Sequence, residues 1–407
     1  MSRLMQRPAR GVLAAALAAV LLLPSVARAQ RDIAELQAHA RAGDAAAQFN
    51  LGRLHVTGSG VPQDDAAAAR WYRLAAEQGH APAQHGLGLR YETGRGVPQD
   101  DAEAARWYRA AAEQGQWEAQ FRLGRLYARG RGVARDDAAA VVWFRRAADQ
   151  GHAEAQFNLG QMYFNGRGVA ADRADAARWV RAAANQGHPA AQVTLASMYE
   201  NGAGVPRDPV LAARWYRLAA VQGNADAQVT LGYLYDSGTG VEEDDAEALR
   251  WIRMAADQDH PEAQFALGNM YFNGRGVPPD PTEAIRWMRL AAEQGYVRAQ
   301  FNLGMSYDTG TGVPRDPAEA ARWFLRAARQ GDAGAQQNIG VKLANGEGLP
   351  PDLVEAHAWL SLAAEQAGGD ARANLLQGLA VIEASLTPEQ LAEAARRREA
   401  WRSTPAR

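Results

Sequence analysis

Hydrophobic and polar positions recur along most of this chain with a fixed period of 36 residues. One glutamine returns in nine copies without insertion or deletion, at Gln48, Gln84, Gln120, Gln156, Gln192, Gln228, Gln264, Gln300 and Gln336. A tryptophan row keeps the same period, at Trp71, Trp107, Trp143, Trp179, Trp215, Trp251, Trp287, Trp323 and Trp359. A constant period of this length is the signature of stacked units that bury their apolar faces against one another. The pattern predicts one array of nine units over residues 44–367.

Within one unit, the apolar positions follow the period of a helix twice. Ala47 and Leu51 lie four residues apart, as neighbours on one helix face do, which predicts a helix A over about residues 44–56. A second stripe with helical spacing includes Ala68 and predicts a helix B over about residues 65–78. Each unit is therefore expected to fold as a helix hairpin, and the chain as an all-α protein.

A glycine-containing turn separates the two predicted helices in each unit. In the first unit, Gly58 and Gly60 can take the positive φ angles that end helix A and turn the chain. Asp64 stands just before the alanine-rich run of helix B, where an aspartate side chain caps free N–H groups. Gly52 lies inside helix A and recurs in most units, although glycine weakens a helix. Its recurrence predicts that a neighbouring helix packs closely against it.

Both ends of the array carry segments that predict caps. Residues 30–43 align with the helix B positions and predict an N-terminal capping helix. Residues 368–407 depart from the 36-residue period and predict C-terminal capping helices and a tail. Thr387 and Gln390 form the pattern of a capping box at the start of the last helix. Such caps cover the apolar ends of a repeat array.

The start of the chain has the pattern of a secretory signal. Arg3, Arg7 and Arg10 precede an apolar run over residues 11–23, and a small-residue cleavage motif ends at Ala29. The apolar run is shorter than the roughly 20 residues that a membrane-spanning helix needs. We therefore expect a signal peptide over residues 1–29, cleavage after Ala29, a periplasmic or secreted protein, and no membrane span in the mature form.

Composition excludes several classes of function. The chain has no cysteine, so it has no disulfide, thiol nucleophile or cysteine-ligated metal. Its formal charge is −2, and removal of residues 1–29 takes away four arginines and no acid, which leaves −6. Proteins that bind nucleic acids normally show a basic domain or stripe. We therefore expect no nucleic-acid partner.

No motif predicts catalysis or a bound cofactor. The sequence lacks the G-x-S-x-G, H-E-x-x-H and Walker-type motifs. His80, His152, His188 and His260 share one repeat position, but equivalent helices of successive units should lie roughly 16–20 Å apart. Zinc needs its nitrogen ligands at about 2 Å, so one ion cannot join two of these histidines. We predict a non-enzymatic protein without a metal or cofactor.

The turn Gly-x-Gly-Val-x-x-Asp and the helix B ending Trp-Tyr-x-x-Ala-Ala-x-Gln-Gly resemble the Sel-1-like repeat, a 36-residue relative of the tetratricopeptide repeat. The resemblance covers residues 44–367. It implies a right-handed α/α solenoid, a superhelix of nine antiparallel helix pairs whose concave face is lined by the A helices. It also implies an adaptor or scaffold role, often in the bacterial envelope.

Residues that differ between units are the candidates for partner binding. Positions equivalent to 50 and 53 vary along the array and, by helical geometry, point away from the stripe of Ala47 and Leu51. The candidates are Asn50, Arg53, Arg122, Arg125, Asn158, Gln161, Thr194, Thr230, Tyr233, Asn269 and Asn302. The phenylalanines beside them, such as Phe157, are expected to pack against the next unit. We expect the tryptophan row to be core and its flanking arginines to form a solvated, salt-bridged face.

The predicted function is a non-enzymatic scaffold that binds a protein or peptide in the concave groove. Two alternatives remain open. One is a hydrolase acting on cell-wall or β-lactam substrates, an activity linked to cysteine-rich members of the family that this chain resembles. The other is a binder of envelope polysaccharide. The absence of cysteine and of a nucleophile–base motif counts against the hydrolase.

Overall fold

The computed structural model describes residues 30–402, and every regular element in that range is a helix. Helix α1 covers residues 30–41. The A helices of the repeats are α2 (Ala45–Thr57), α4 (Ala81–Thr93), α6 (Trp117–Arg129), α8 (Ala153–Asn165), α10 (Pro189–Asn201), α12 (Ala225–Ser237), α14 (Pro261–Asn273), α16 (Val297–Thr309) and α18 (Ala333–Asn345). The B helices are α3 (Asp65–Glu77), α5 (Asp101–Glu113), α7 (Asp137–Asp149), α9 (Arg173–Asn185), α11 (Pro209–Val221), α13 (Asp245–Ala256), α15 (Pro281–Glu293), α17 (Pro317–Arg329) and α19 (Leu353–Gln366). Two further helices follow, α20 (Gly369–Glu383) and α21 (Pro388–Arg402).

These helices form two compact units. The first runs to Ala191 and takes in Ala203–Pro206, and the second consists of Gln192–Gly202 and the chain from Arg207 onward. Within each unit, an A helix packs against the B helix of its own repeat, and that B helix packs against the next A helix. The predicted all-α class and the solenoid of helix hairpins are confirmed.

A glycine inside eight of the nine A helices lets the two helices of a hairpin approach closely, and Ala196 takes its place in α10. A Cβ atom added at Gly52 would lie 2.7 Å from Cδ1 of Tyr72, and one at Gly124 would lie 2.8 Å from Cδ1 of Phe144. Carbon atoms do not approach this closely in a packed protein, so a side chain at Gly52 or Gly124 would require the facing ring or helix to move. The predicted close approach is confirmed, and the approaching helix is the B helix of the same repeat.

The loop between the two helices rests on the preceding repeat. Gly94 ends α4 with a φ of 68°, and Gly96 follows with a φ of 76°. A Cβ atom at Gly96 would lie 2.0 Å from the backbone oxygen of Asp65, the first residue of α3. The second glycine therefore provides both a left-handed backbone and the space for contact with the neighbouring B helix. Asp100 then caps α5, because its carboxylate accepts the N–H of Glu103 at 3.0 Å.

In most repeats, the recurrent glutamine ties the A helix to two B helices. The Nε2 atom of Gln84 donates to the carbonyl of Ala76 in the preceding B helix at 3.1 Å. Its Oε1 atom accepts from Nε2 of Gln114, in the B helix of its own repeat, at 2.7 Å. In the first repeat, the carbonyl partner is Ala40 of α1, so α1 takes the place of a B helix. All nine of these glutamines are buried.

The tryptophan row belongs to the core, under a polar cover. Six of its nine members are buried, and Trp71, Trp143 and Trp215 are half-buried. The guanidinium of Arg106 lies 4.4 Å from the ring centroid of Trp107 and also forms an ion pair with Glu103 at 2.7 Å. Both expectations, a tryptophan core and a salt-bridged arginine face, are confirmed for this row.

A second arginine row joins neighbouring repeats, which the sequence analysis did not foresee. Arg73 in α3 donates to the hydroxyl of Tyr91 in α4 at 2.5 Å. The equivalent pairs are Arg109 and Tyr127, Arg145 and Tyr163, Arg217 and Tyr235, Arg253 and Tyr271, and Arg289 and Tyr307. The partners are 18 residues apart, outside the three- and four-residue spacings at which side chains of one helix meet.

Helices α20 and α21 both pack on α19, the last B helix. The indole of Trp401 stacks on that of Trp359, with ring centroids 3.9 Å apart and ring planes at 10°. The predicted capping box is present, because the N–H of Thr387 donates to Gln390 Oε1 at 2.9 Å and the N–H of Gln390 donates to Thr387 Oγ1 at 3.3 Å.

No helix between residues 30 and 402 is both long enough and apolar enough to cross a bilayer. The predicted signal peptide, residues 1–29, lies outside the described residues, as do residues 403–407.

Replacing one recurrent glutamine should destabilise the array. Gln156→Leu removes the donor to the Ala148 carbonyl (3.1 Å) and the acceptor for Gln186 (2.8 Å), and so leaves polar groups unpaired inside the protein. We expect a loss of about 1–3 kcal/mol, seen as a lower midpoint of urea unfolding. Gln161→Ala, on the outer side of the same helix, is the control and should leave the midpoint nearly unchanged. An unchanged midpoint for Gln156→Leu would contradict the role given to the buried amide.

Candidate functional site

The side of the A helices that faces away from the B helices is the candidate functional surface, which we call the variable face. In each repeat it consists of the residues equivalent to positions 49, 50, 53 and 57 of the first repeat. Ala47, Gln48, Leu51 and Gly52 of the same helix are buried, so the variable positions turn away from the B helix. None of the eleven predicted partner-binding residues is buried: Asn50, Arg53 and Tyr233 are exposed, and Arg122, Arg125, Asn158, Gln161, Thr194, Thr230, Asn269 and Asn302 are half-buried.

A recess of about 450 Å³ opens on the variable face of the first unit, between α6 and α8. We call it the first recess. It brings together three of the predicted residues, Arg125, Asn158 and Gln161. Its other lining residues are Phe121, Ala128, Arg129, Phe144, Glu154, Phe157, Met162, Asn165 and Arg167. Its volume is typical of sites that hold small ligands or parts of a peptide.

Aromatic rings line the apolar part of the first recess. Phe121 lies 5.9 Å from Phe144 between ring centroids, and 4.7 Å from the ring of His152. Phe157 lies 4.9 Å from the ring of His188. These two histidines cap the A helices of the next repeats, because their Nδ1 atoms accept backbone N–H groups. The expected packing of the phenylalanines against the next repeat is confirmed, and the same rings remain open to the recess.

Amide groups form the polar part of the first recess. Asn158 Nδ2 donates to the backbone oxygen of Glu154 at 2.7 Å, and Asn165 Nδ2 donates to that of Gln161 at 2.9 Å. These bonds hold the asparagine side chains against α8, and their carbonyl oxygens accept no hydrogen bond from any residue that the structure describes. Together the amides can pair with the N–H and C=O groups of an extended peptide.

A smaller recess, of about 190 Å³, opens on the second unit between α12 and α14. We call it the second recess. Two predicted residues, Tyr233 and Asn269, meet there, and Tyr233 donates to Glu262 Oε1 at 3.3 Å. Partial removal from water in the second recess, followed by the negative charge of Glu262, raises the pKa of Tyr233. The other lining residues are Gly232, Asp236, Ala248, Ile252, Ala266, Met270, Asn273 and Arg275.

Arg122 takes part in a compact charged cluster. Glu92, whose side chain is only 14% exposed, accepts from Arg122 at 2.9 Å and from the Tyr108 hydroxyl at 2.6 Å. Burial and the bond to Glu92 raise the pKa of Tyr108. The ring of His85 lies 5.8 Å from that of Tyr108, and its Nε2 atom is buried without a hydrogen-bond partner among the described residues. Arg122 thus already has an internal partner, unlike Arg125.

The remaining candidates lie along the variable face outside the two recesses. The guanidinium of Arg53 lies 6.0 Å from the ring centroid of Phe49. Thr230 Oγ1 donates to the backbone of Asp226 at 2.9 Å, within its own helix. Asn50, Thr194 and Asn302 line neither recess.

Sequence reasoning missed several lining residues. Arg129 and Asn165 occupy the position equivalent to 57, one helical turn beyond position 53, which also varies between repeats. Phe144 and Ile252 occupy the position equivalent to 72 on the B helix, where side-chain size changes from repeat to repeat. The variation at both positions was a usable signal.

The groups gathered in the recesses are guanidinium, carboxylate, amide, phenol and aromatic side chains, which bind through hydrogen bonds, charge and ring contacts. Among residues 30–402, no group of three or more acidic or histidine side chains could hold a metal ion.

Comparison with known proteins agrees with the fold. The family model of the Sel1 repeat matches nine consecutive segments, residues 45–80, 81–116, 117–152, 153–188, 189–224, 225–260, 261–296, 297–332 and 333–367. No curated protein matches the chain.

Two solved structures are similar along most of the chain. One is a protective antigen present in uropathogenic Escherichia coli strains that displays an SLR fold. The two sequences are 32% identical, the match covers 92% of this chain and 95% of the antigen chain, and the TM-score is 0.64. The other is a Sel1 repeat protein from Oxalobacter formigenes, with 36% identity, coverage of 81% and 93%, and a TM-score of 0.64.

Removing His85 should make the protein less sensitive to acid. Burial and the nearby Arg122 lower the pKa of His85 from 6.5 to about 4. Between these two pH values His85 is protonated in the unfolded chain and neutral in the folded chain. Between pH 7 and pH 5 this difference costs up to about 2 kcal/mol of the free energy of unfolding. His85→Phe introduces the residue that neighbouring repeats have at the same position, Phe49 and Phe121. This variant should lose less stability than the wild type between pH 7 and pH 5, measured by urea unfolding at both pH values. His39→Phe, at an exposed site, is the control. Equal losses for His85→Phe and the wild type would contradict the prediction.

Proposed function

Because the chain belongs to the Sel1 repeat family, we propose that it is a non-enzymatic scaffold that binds a protein or an extended peptide along the variable face. Proteins built from Sel1 repeats are generally protein-interaction scaffolds. We further propose that the chain works in the bacterial envelope, in the periplasm or after secretion, on the strength of the signal-like pattern of residues 1–29.

The observation that carries the proposal is that each A helix has two sets of residues with different roles. Shared residues such as Gln156 and Gly160 are buried and hold the hairpins together. Residues that change between repeats, such as Asn158 and Gln161, are partly exposed and meet in a recess beside open aromatic rings. A rigid scaffold that presents preformed polar and aromatic groups loses little conformational entropy on binding, which favours recognition of another chain.

Crosslinking in the native host tests the proposal. The tagged chain is crosslinked in cells, purified and analysed for proteins that co-purify reproducibly. Substituting Arg125, Asn158 and Gln161 together by alanine should reduce recovery of a variable-face partner by about tenfold, because all three residues line the first recess.

The control removes an equal number of exposed side chains from the ends of B helices, at Glu77, Glu113 and Asp149, and should leave recovery unchanged. Full recovery with the triple variant would exclude the first recess as the binding site. Failure to find any protein partner, combined with hydrolysis of a glycan or a lactam by the purified chain, would overturn the proposed function.

A further inference from the structure

The two recesses occupy equivalent positions in the repeat but differ in charge. Each lies between two A helices and is backed by position 72 of a B helix, Phe144 in the first and Ile252 in the second. The lining of the first recess contains three arginines and one acid, Glu154. The lining of the second contains one arginine, Arg275, and one acid, Asp236.

The excess positive charge of the first recess comes from Arg125 and Arg129. Within residues 30–402, neither guanidinium has an acidic side chain at ion-pair distance, and Arg125 lies 5.8 Å from the centroid of Phe121. Arg167, the third arginine, is paired with Asp137 at 2.8 Å. Glu154 lies 3.3 Å from the ring of His188 rather than beside either free arginine.

In the second recess, the arginine of the lining is balanced by acidic side chains. Arg275, the equivalent of Arg167, pairs with Asp236 at 2.7 Å and with Asp245 at 3.1 Å. Tyr233 and Ser237 stand where the first recess has Arg125 and Arg129. The difference therefore arises from substitutions at three positions of one A helix, with the surrounding frame kept.

We propose that the first recess binds an acidic peptide segment, one in which a large apolar residue lies next to glutamate or aspartate. This inference rests on the proposed scaffold function and specifies the ligand of one site. Arg125 and Arg129 pair with the carboxylates, and the half-buried rings of Phe121 and Phe157 receive the apolar side chain above the buried Phe144. Guanidinium groups favour this pairing, because they bind carboxylates through two parallel hydrogen bonds and stack on aromatic rings.

The amide groups of the recess favour a peptide over other anions. The carbonyl oxygens of Asn158 and Asn165 are free to accept N–H groups, since their amide nitrogens donate to α8. The amide of Gln161 has no side-chain hydrogen bond within the described residues, so it can both donate and accept. A peptide backbone offers donors and acceptors in alternation, which matches this set.

Selection from a random heptapeptide library displayed on phage tests the inference with the purified full chain. We expect peptides enriched in glutamate or aspartate next to leucine, isoleucine or phenylalanine. The strongest peptide is then synthesised with a dye, and its affinity is measured by fluorescence anisotropy. Arg125→Glu with Arg129→Glu should weaken binding by at least about tenfold, because each charged hydrogen bond contributes about that factor.

The matched control reverses the charge of two exposed arginines of α1 that line neither recess, Arg31→Glu with Arg41→Glu, and should keep the affinity of the wild type. Circular dichroism of each variant shows whether it is folded, and Arg125→Gln with Arg129→Gln gives a second, milder test. Peptides that lack acidic residues, or acidic peptides that bind the charge-reversed variant equally well, would overturn the inference and leave the scaffold function standing. Selection of no peptide, together with arginine-dependent binding of an acidic oligosaccharide, would overturn both.

Discussion

Within each compact unit, a buried amide side chain joins a repeat to the helix before it, and the stacking of the repeats depends on this contact. The Nε2 atom of the glutamine satisfies a carbonyl near the end of the preceding B helix, while its Oε1 atom accepts from a glutamine of its own repeat, as in Gln84 with Ala76 and Gln114. A buried amide without partners costs about 1–3 kcal/mol, so a shifted register would leave several polar groups unpaired at once. The contact therefore sets the register as well as the stability of the stack.

The other shared residues serve the same frame. Glycine inside the A helix sets the distance within a hairpin, the second loop glycine sets the distance to the preceding repeat, and aspartate starts the B helix. Because these positions hold the backbone together in nearly every repeat, the positions of the A helices that face away from the B helices are free to change. The first recess shows the consequence, since Arg125 and Arg129 give it a positive charge that the second recess lacks.

Much of the candidate site could be predicted, because variation against a constant frame is visible in the sequence. The outward orientation of Asn158, Gln161 and Tyr233 follows from helical spacing alone. Their meeting with particular partners does not, because residues about 30 positions apart are brought together by the stacking of helices. Arg122 illustrates the limit. Its spacing marks it as an open candidate, yet it pairs with Glu92 of the preceding A helix.

The sequence by itself determined the repeat length, the helix hairpin, the loop glycines and the aspartate caps, because these depend on local backbone preferences and on a period read along one chain. Only the tertiary structure decided which charges are neutralised. Arg167 and Arg275 occupy the same repeat position, but the second has an additional partner in Asp236, where the first recess has Ala128. Pairing across repeats depends on distances of a few ångströms between side chains of different helices, and spacing along the chain does not contain them.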